Sequence, residues 1–178
     1  MIQGPIICIT CSDDGTKIAT GDRNGKLTLA DQNGTKNWEK DIDEGIYGLA
    51  ILGNGNKVAC GGKDCKLRML NSLGNVEWEQ TVGKSIWSMA MDPSGQFIAV
   101  GTGDSISMYT EGGLQLWEHT TNRAMVGISI SGNGSLIVGC GDEFLYCLNS
   151  DGNLLWEKQR SDSLWDVAVE KDGETVFV

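Results

Sequence analysis

The sequence contains little proline, a single histidine and no long hydrophobic run. Proline accounts for 2 of its 178 residues. No apolar run approaches the roughly 20 residues that a membrane-spanning helix needs. The N-terminus, MIQGPIICIT, lacks the basic segment and long apolar stretch of a signal peptide. We therefore expect a cytoplasmic chain without a membrane segment.

The scarcity of histidine argues against catalysis. His119 follows a Trp-Glu pair on a predicted outer strand, where we expect a surface histidine and not a general base. A Ser–His–acid arrangement would need this same residue, and nothing in the sequence places a nucleophile beside it. Acidic pairs such as Asp142-Glu143 lack the spacing of a calcium loop. We predict no enzyme activity, catalytic residue, cofactor or metal site.

Basic residues are outnumbered by acidic ones. Lysine and arginine total 14 against 24 aspartates and glutamates, which gives a net charge of −10. Nucleic-acid binding draws much of its affinity from basic side chains that neutralise phosphates. The charge therefore argues against nucleic acid and anionic membrane as partners.

The cysteines form no regular framework. Six are scattered along the chain and do not recur at a matched place in each repeat, as a disulfide or metal array would. Cys8 and Cys11 have CxxC spacing, but residues three apart on a strand point to opposite faces. Cys60 and Cys65, across a predicted hairpin, are the one pair considered for a disulfide. Otherwise free thiols fit a reducing compartment.

The most informative feature of the sequence is a repeat of 39 or 40 residues. Trp-Glu recurs four times at this spacing, with a glycine four residues before each tryptophan. A second glycine closes a strand-like segment that occurs five times in one register, as in IYGLAILGNG and IWSMAMDPSG. Such periodicity is typical of repeat architectures. The repeated tryptophans are Trp38, Trp78, Trp117 and Trp156.

Each complete repeat is predicted to contain four short strands. The first is the segment above, the second resembles KIATG, the third KLTLA, and the fourth carries the tryptophan, as in KNWEK. Turns rich in asparagine, aspartate and glycine separate them and supply the backbone angles that tight hairpins need. Four strands in about 40 residues match a propeller blade.

The sequence therefore predicts an all-β fold, namely a β-propeller of four-stranded antiparallel blades with four complete blades and half of a fifth. A sandwich or barrel does not predict a four-strand period, and a parallel β-helix has shorter coils and fewer hairpins. We expect a single propeller or part-propeller domain over residues 1–178. Its repeats are predicted at about 6–45, 46–85, 86–124, 125–163 and 164–178.

Residues 34–38 (GTKNW) and 152–156 (GNLLW) share a Gly-x-x-x-Trp pattern. The repeat resembles the broad group of WD-repeat and pyrroloquinoline-quinone-type propellers, and this pattern makes it most similar to the second kind. The Trp-Asp pair of the WD family is absent, and pairs such as Ala30-Asp31 take its place. The resemblance covers residues 5–178 and implies the propeller fold. It does not extend to quinone binding, because no matched set of cofactor-binding residues is present.

The tryptophans of the Trp-Glu pairs are predicted to lock one blade to the next, since a large ring at a fixed depth buries much apolar area. A second aromatic column contains Tyr47, Trp87 and Trp165, one residue before a column of small residues on the innermost strand. We expect packing between blades for these three. Contact with a ligand or partner is the alternative for them.

The last repeat is incomplete in this sequence. One further strand, Thr175–Val178, follows its first strand and turn. Unpaired strand edges invite pairing with another chain, so we expect this edge to be adhesive. Two explanations stay open, a piece of a longer propeller or copies that join through open ends.

These observations favour a non-catalytic scaffold that binds protein partners and other copies of itself. The alternative is a lectin-like or small-ligand-binding propeller with pockets near Tyr47, Trp87 or Trp165. A third hypothesis is a fragment of a quinone-dependent dehydrogenase.

Overall fold

The computed structural model describes residues 4–178, and its regular structure there consists of strands only. No helix in this part of the chain is long and apolar enough to cross a membrane. The strands are β1 Ile6–Cys11, β2 Lys17–Asp22, β3 Lys26–Asp31, β4 Lys36–Asp41, β5 Ile46–Ile51, β6 Lys57–Gly62, β7 Lys66–Asn71, β8 Val76–Thr81, β9 Ile86–Met91, β10 Phe97–Thr102, β11 Ser105–Thr110, β12 Gln115–Thr120, β13 Gly127–Ile130, β14 Leu136–Gly141, β15 Phe144–Asn149, β16 Leu154–Gln159, β17 Ala168–Val169 and β18 Val176–Phe177.

The strands form five sheets in chain order. β1–β4, β5–β8, β9–β12 and β13–β16 are four-stranded, and β17–β18 is two-stranded. Neighbouring strands pair antiparallel throughout, as in β2–β3, where Ala19 lies opposite Leu29. Four blades and half of a fifth were predicted, and the fold class is confirmed.

Hydrogen bonds in the turn between the third and fourth strands explain why aspartate or asparagine ends the third strand, at the position considered for the Trp-Asp pair of the WD family. Asp31 Oδ1 accepts hydrogen bonds from the backbone N–H groups of Asn33 and Thr35 at 2.9 and 2.8 Å. Asn71 and Asn149 bond in the same way at the equivalent positions. A short oxygen-bearing side chain here satisfies turn donors that would otherwise lack partners.

The chain divides into two compact units, residues up to Ile86 and residues from Trp87 onward. In the first, Leu27 and Leu29 of β3 share a buried cluster with Ile46 and Leu49 of β5. In the second, one cluster joins β11 to β13, and another joins β14 and β15 to Val167 just before β17. The apolar cores therefore lie between consecutive sheets within each unit. The single-domain organisation and the repeat boundaries stay predictions.

The considered Cys60–Cys65 disulfide is wrong, since all six cysteines are free. In the β6–β7 hairpin Cys60 lies opposite Arg68, while Cys65 lies in the connecting turn with φ 59°. Cys65 is therefore not a cross-strand neighbour of Cys60.

Candidate functional site

Trp38 connects the first and second sheets. It lies on β4, and its Nε1–H donates a hydrogen bond to the Ser72 carbonyl at 3.0 Å. Its ring covers Gly74, where an added Cβ would lie 2.8 Å from Trp38 Cδ2. Gly74 has a φ of 78°, which favours glycine, in the turn between β7 and β8. Ring, carbonyl and glycine form a joint between adjacent sheets.

The second unit contains the same joint. Trp117 Nε1–H donates to the Ser150 carbonyl at 2.7 Å, and a Cβ on Gly152 would lie 2.6 Å from Trp117 Cδ2. In both joints the accepting carbonyl belongs to the residue two positions before the glycine. Trp38 and Trp117 therefore each contact the sheet that follows their own, while the blade-locking role stays a prediction.

Trp156 occupies the equivalent position on β16, but its surroundings differ. Its ring packs against the cluster of Val138, Cys147 and Val167, and Lys158 Nζ lies 5.0 Å from its centroid. No hydrogen bond from its Nε1–H is found within residues 4–178. Trp78, the remaining member of the set, is half-buried on β8. Within residues 4–178, the Trp156 ring therefore contacts no glycine turn like those of Gly74 and Gly152.

The first sheet shows the complementary situation. Ile9 is 68% exposed, whereas Leu49, Met89 and Ile128 at the same repeat position are at most 8% exposed. Gly34 has the φ of Gly74, 78°, but nothing lies within 4 Å of the Cβ that it could carry. The sheet face that packs against a neighbouring sheet in later repeats is therefore exposed here. Sequence reasoning missed this face, because Ile9 is as apolar as its buried counterparts.

In the second aromatic column, Tyr47 and Trp87 lie near the start of β5 and β9, whereas Trp165 precedes β17 and lies outside the strands. Tyr47 is half-buried with Lys63 Nζ 5.4 Å from its ring centroid. Trp87 is half-buried, and its Nε1 lies 4.0 Å from where a Gly103 Cβ would be. Trp165 is 79% exposed. Each of the three aromatic side chains is therefore at least partly exposed.

A buried ion network, also missed from sequence, lies in the second sheet. Arg68 on β7 is 3% exposed, and its guanidinium bonds Asp64 and, at 2.6 Å through Nε, Glu79 of β8. Burial alone would lower the pKa of Arg68, but the Asp64 and Glu79 carboxylates raise it. Hydrogen bonds from Lys66 and Arg68 in turn lower the pKa of Glu79. The three charges tie the β6–β7 turn to β8.

No group of three or more metal-ligating side chains is found in the described residues. His119 is half-buried on β12, opposite Ile106 of β11. The titratable residues of this part of the chain mainly form turns and cross-strand pairs. Lys26, for example, bonds both Glu39 and Asp41 at about 3 Å.

Burial makes most of the thiols unreactive. It raises the pKa of Cys8 and Cys60 to about 12 and that of Cys140 and Cys147 to about 11. Cys11 is exposed on β1. At pH 8 we expect a chromogenic thiol reagent to modify Cys11 rapidly, half-buried Cys65 more slowly, and the other four only after unfolding.

Cys11→Ser should remove the fast phase of the reaction. It should also lower the number of thiols that react in denaturant by one. Rapid reaction of four or more thiols in the folded chain would contradict this burial pattern.

Comparison with known proteins finds similarity to one repeat model and to a solved β-propeller. Residues 78–109 match the family model described as WD domain, G-beta repeat. The crystal structure of the beta-propeller domain of Cps50 (Swd1) from Myceliophteria thermophila superimposes with a TM-score of 0.82 at 10% identity, over 99% of this chain. The chain spans 62% of the length of that structure. Among curated proteins, none matches the sequence. The β-propeller fold is shown, while the quinone-type resemblance is unconfirmed.

Proposed function

We propose that this chain is a non-catalytic propeller scaffold that binds protein partners, including other copies of itself. WD-repeat propellers typically serve as scaffolds for protein interaction, and the fold fits this role. The observation that carries the proposal is the exposed apolar face of the first sheet. Ile6 and Ile9 are exposed there, whereas Ile46 and Leu49 at the same repeat positions are buried against a neighbouring sheet. Exposed apolar patches of this kind mark interaction sites.

The two-stranded fifth sheet contains a surface that suits this face. Phe177 of β18 occupies the repeat position of Ala19 and is 54% exposed. Ala19 is buried in one cluster with Ile46 and Leu49. A second copy that places Ile6 and Ile9 against Phe177 would repeat this internal packing between molecules. Such a head-to-tail contact is heterologous and leads to rings or filaments.

The residues of the second aromatic column are proposed contacts for other proteins, with Tyr47 in the first unit and Trp87 and Trp165 in the second. Each combines a large apolar ring with a polar atom and is at least partly exposed. Tryptophan and tyrosine are enriched among the residues that dominate binding energy at interfaces. The net charge of −10 disfavours nucleic acid and anionic membrane as partners.

Multi-angle light scattering across a concentration series tests self-association. We expect the chain to exceed its monomer mass of 19.1 kDa. Ile9→Lys should return it to the monomer, because a buried unpaired ammonium opposes packing of this face. Leu114→Lys is the matched control, since Leu114 is 67% exposed in a turn without a proposed role.

A wild-type chain that stays monomeric at all concentrations, or equal dissociation by both variants, would contradict self-association. A sugar that saturably quenches tryptophan fluorescence, with the effect lost in Trp165→Ala, would favour the lectin-like alternative. Quinone absorbance in the purified protein would favour the dehydrogenase hypothesis.

A further inference from the structure

Asparagine is followed by glycine at four places in the chain, each in a turn between two strands. The pairs are Asn24-Gly25, Asn33-Gly34, Asn54-Gly55 and Asn133-Gly134. Glycine has no side chain that would shield its backbone nitrogen, so this nitrogen can approach the preceding asparagine closely. All four pairs are therefore open to the same intramolecular reaction, and the surrounding structure decides how readily each one reacts.

This reaction, deamidation, converts asparagine to aspartate or isoaspartate without an enzyme. The glycine nitrogen loses its proton to solvent and attacks the asparagine Cγ; a C–N bond forms, and Nδ2 takes up a proton and leaves as ammonia. Water then opens the cyclic imide at either carbonyl, and each product carries one additional negative charge. The side chain must rotate until Cγ meets the glycine nitrogen, so hydrogen bonds to the side-chain oxygen oppose ring closure.

The side-chain oxygens of Asn133 and Asn54 are held by their turns. Asn133 Oδ1 accepts hydrogen bonds from the Ser131 hydroxyl at 2.9 Å and from the hydroxyl and N–H of Ser135 at 2.7 and 3.1 Å. Asn54 Oδ1 accepts one, from the Asn56 N–H at 3.0 Å. Rotation towards the glycine would break these bonds. Asn133 is therefore strongly protected, and Asn54 is protected to a lesser extent.

At Asn24 the backbone of the following glycine is held instead. Gly25 is buried, and its carbonyl accepts a hydrogen bond from the Ile42 N–H at 2.7 Å. A Cβ on Gly25 would lie 2.1 Å from the Ile42 carbonyl oxygen, which shows how closely the two backbones pack. Ring closure displaces the Gly25 backbone, so this packing slows the reaction at Asn24.

Asn33 has neither restraint. Its turn is held by Asp31, whose Oδ1 accepts hydrogen bonds from the N–H groups of Asn33 and Thr35. The Asn33 side chain makes no hydrogen bond within residues 4–178, and the Gly34 carbonyl accepts none there. The glycine N–H donates to the carbonyl three residues earlier in all four turns, so that bond does not distinguish the pairs. The amide of Asn33 can therefore rotate without loss of a turn hydrogen bond.

We propose that Asn33 is the site at which the folded chain deamidates, while Asn133 keeps its amide. The exposure of this site belongs to the turn and not to the first sheet alone. Leu73 takes the place of Asn33 in the second sheet and is 75% exposed, although Trp38 covers the adjacent Gly74. Deamidation adds one negative charge to the turn before β4, and isoaspartate also lengthens the backbone there by one methylene group.

Peptide mapping by mass spectrometry, after incubation at mildly alkaline pH, measures the loss of each amide in the folded chain and in urea. The pairs share the Asn-Gly sequence, so their rates in urea calibrate their intrinsic reactivity. In the folded chain we expect Asn33 to react at close to its rate in urea. Asn133 should react roughly tenfold to a hundredfold more slowly than in urea, because its hydrogen bonds must break first.

Ser135→Ala tests the cause of this protection at an exposed residue. Loss of the Ser135 hydroxyl bond should accelerate deamidation at Asn133 roughly threefold to tenfold. The rate at Asn33 in the same variant is the internal reference and should not change. Asn33→Gln should remove the fast reaction of the folded chain.

Protection of Asn33 as strong as that of Asn133, or an unchanged Asn133 rate in Ser135→Ala, would overturn the inference. Faster reaction at Asn133 than at Asn33 in the folded chain would overturn it as well, because the serine hydroxyls would then activate the amide. Self-association is measured separately, so neither result bears on the proposed function.

Discussion

Gly74→Ala should destabilise the chain by about 3 kcal/mol and Gly34→Ala by about 1 kcal/mol. The two glycines occupy the same position of consecutive repeats and share a φ of 78°. Alanine in this left-handed conformation carries a similar backbone penalty at both positions. At Gly74 its Cβ would also lie within 2.8–3.2 Å of three Trp38 ring atoms, whereas at Gly34 it meets nothing within 4 Å. The difference in destabilisation between Gly74→Ala and Gly34→Ala therefore measures the contact between Trp38 and Gly74 alone.

Urea unfolding of both variants and the wild type provides the measurement, with a common m value as the condition for comparison. In a Trp38→Ala background the extra penalty of Gly74→Ala should disappear, because the ring that it collides with is absent. Equal destabilisation by the two glycine variants in the wild-type background would show that the Trp38–Gly74 contact contributes little.

These glycines show how much of the fold can be predicted from the sequence. The period of 39–40 residues predicts four-stranded sheets because the turn residues and apolar strands repeat in one register, and the four sheets agree. The sequence predicts that Trp38 packs between blades but does not identify its partner. The structure places Trp38 over Gly74 of the next repeat. Contacts between sheets depend on how repeats stack, and spacing within one repeat does not reveal this.

The candidate surfaces were less predictable than the fold. The edge Thr175–Val178 was expected because the last repeat lacks two strands. The exposed face with Ile9 was not, because Ile9 is as apolar as its buried counterparts Leu49 and Ile128. Hydrophobicity identifies a strand position that suits burial, but the neighbouring sheet decides whether that position is covered. A comparison of equivalent repeat positions in the structure was needed to find it.

The ion network of Arg68 depends on the same kind of context. Thr28 is the counterpart of Arg68 in the first repeat, and both are buried. A charge is accommodated only in the second sheet, because Asp64 in the preceding turn and Glu79 on β8 both bond the guanidinium. Alignment of the repeats shows an arginine at this position but not that its partners converge on it.

We expect Asp64→Leu to destabilise the chain by about 3 kcal/mol, while the double variant Asp64→Leu/Arg68→Met changes stability little. Removal of one partner leaves a buried cation under-compensated, whereas replacement of both buried partners by apolar side chains removes the desolvation penalty of each. Lys26→Met is the control, since Lys26 is more exposed and such pairs contribute under about 1 kcal/mol.

Urea unfolding at pH 7 measures all three variants, and an acid series tests the role of Glu79. The pKa of Glu79 is lowered in the folded chain, mainly by the Lys66 hydrogen bond and then by Arg68. Its stabilising contribution is therefore present above its ordinary pKa of about 4.3 and is lost as the pH falls through the lower folded value. In the double variant this loss should be smaller, because only the Lys66 bond to Glu79 remains. A double variant destabilised as strongly as Asp64→Leu would instead mean that the network is a net source of stability.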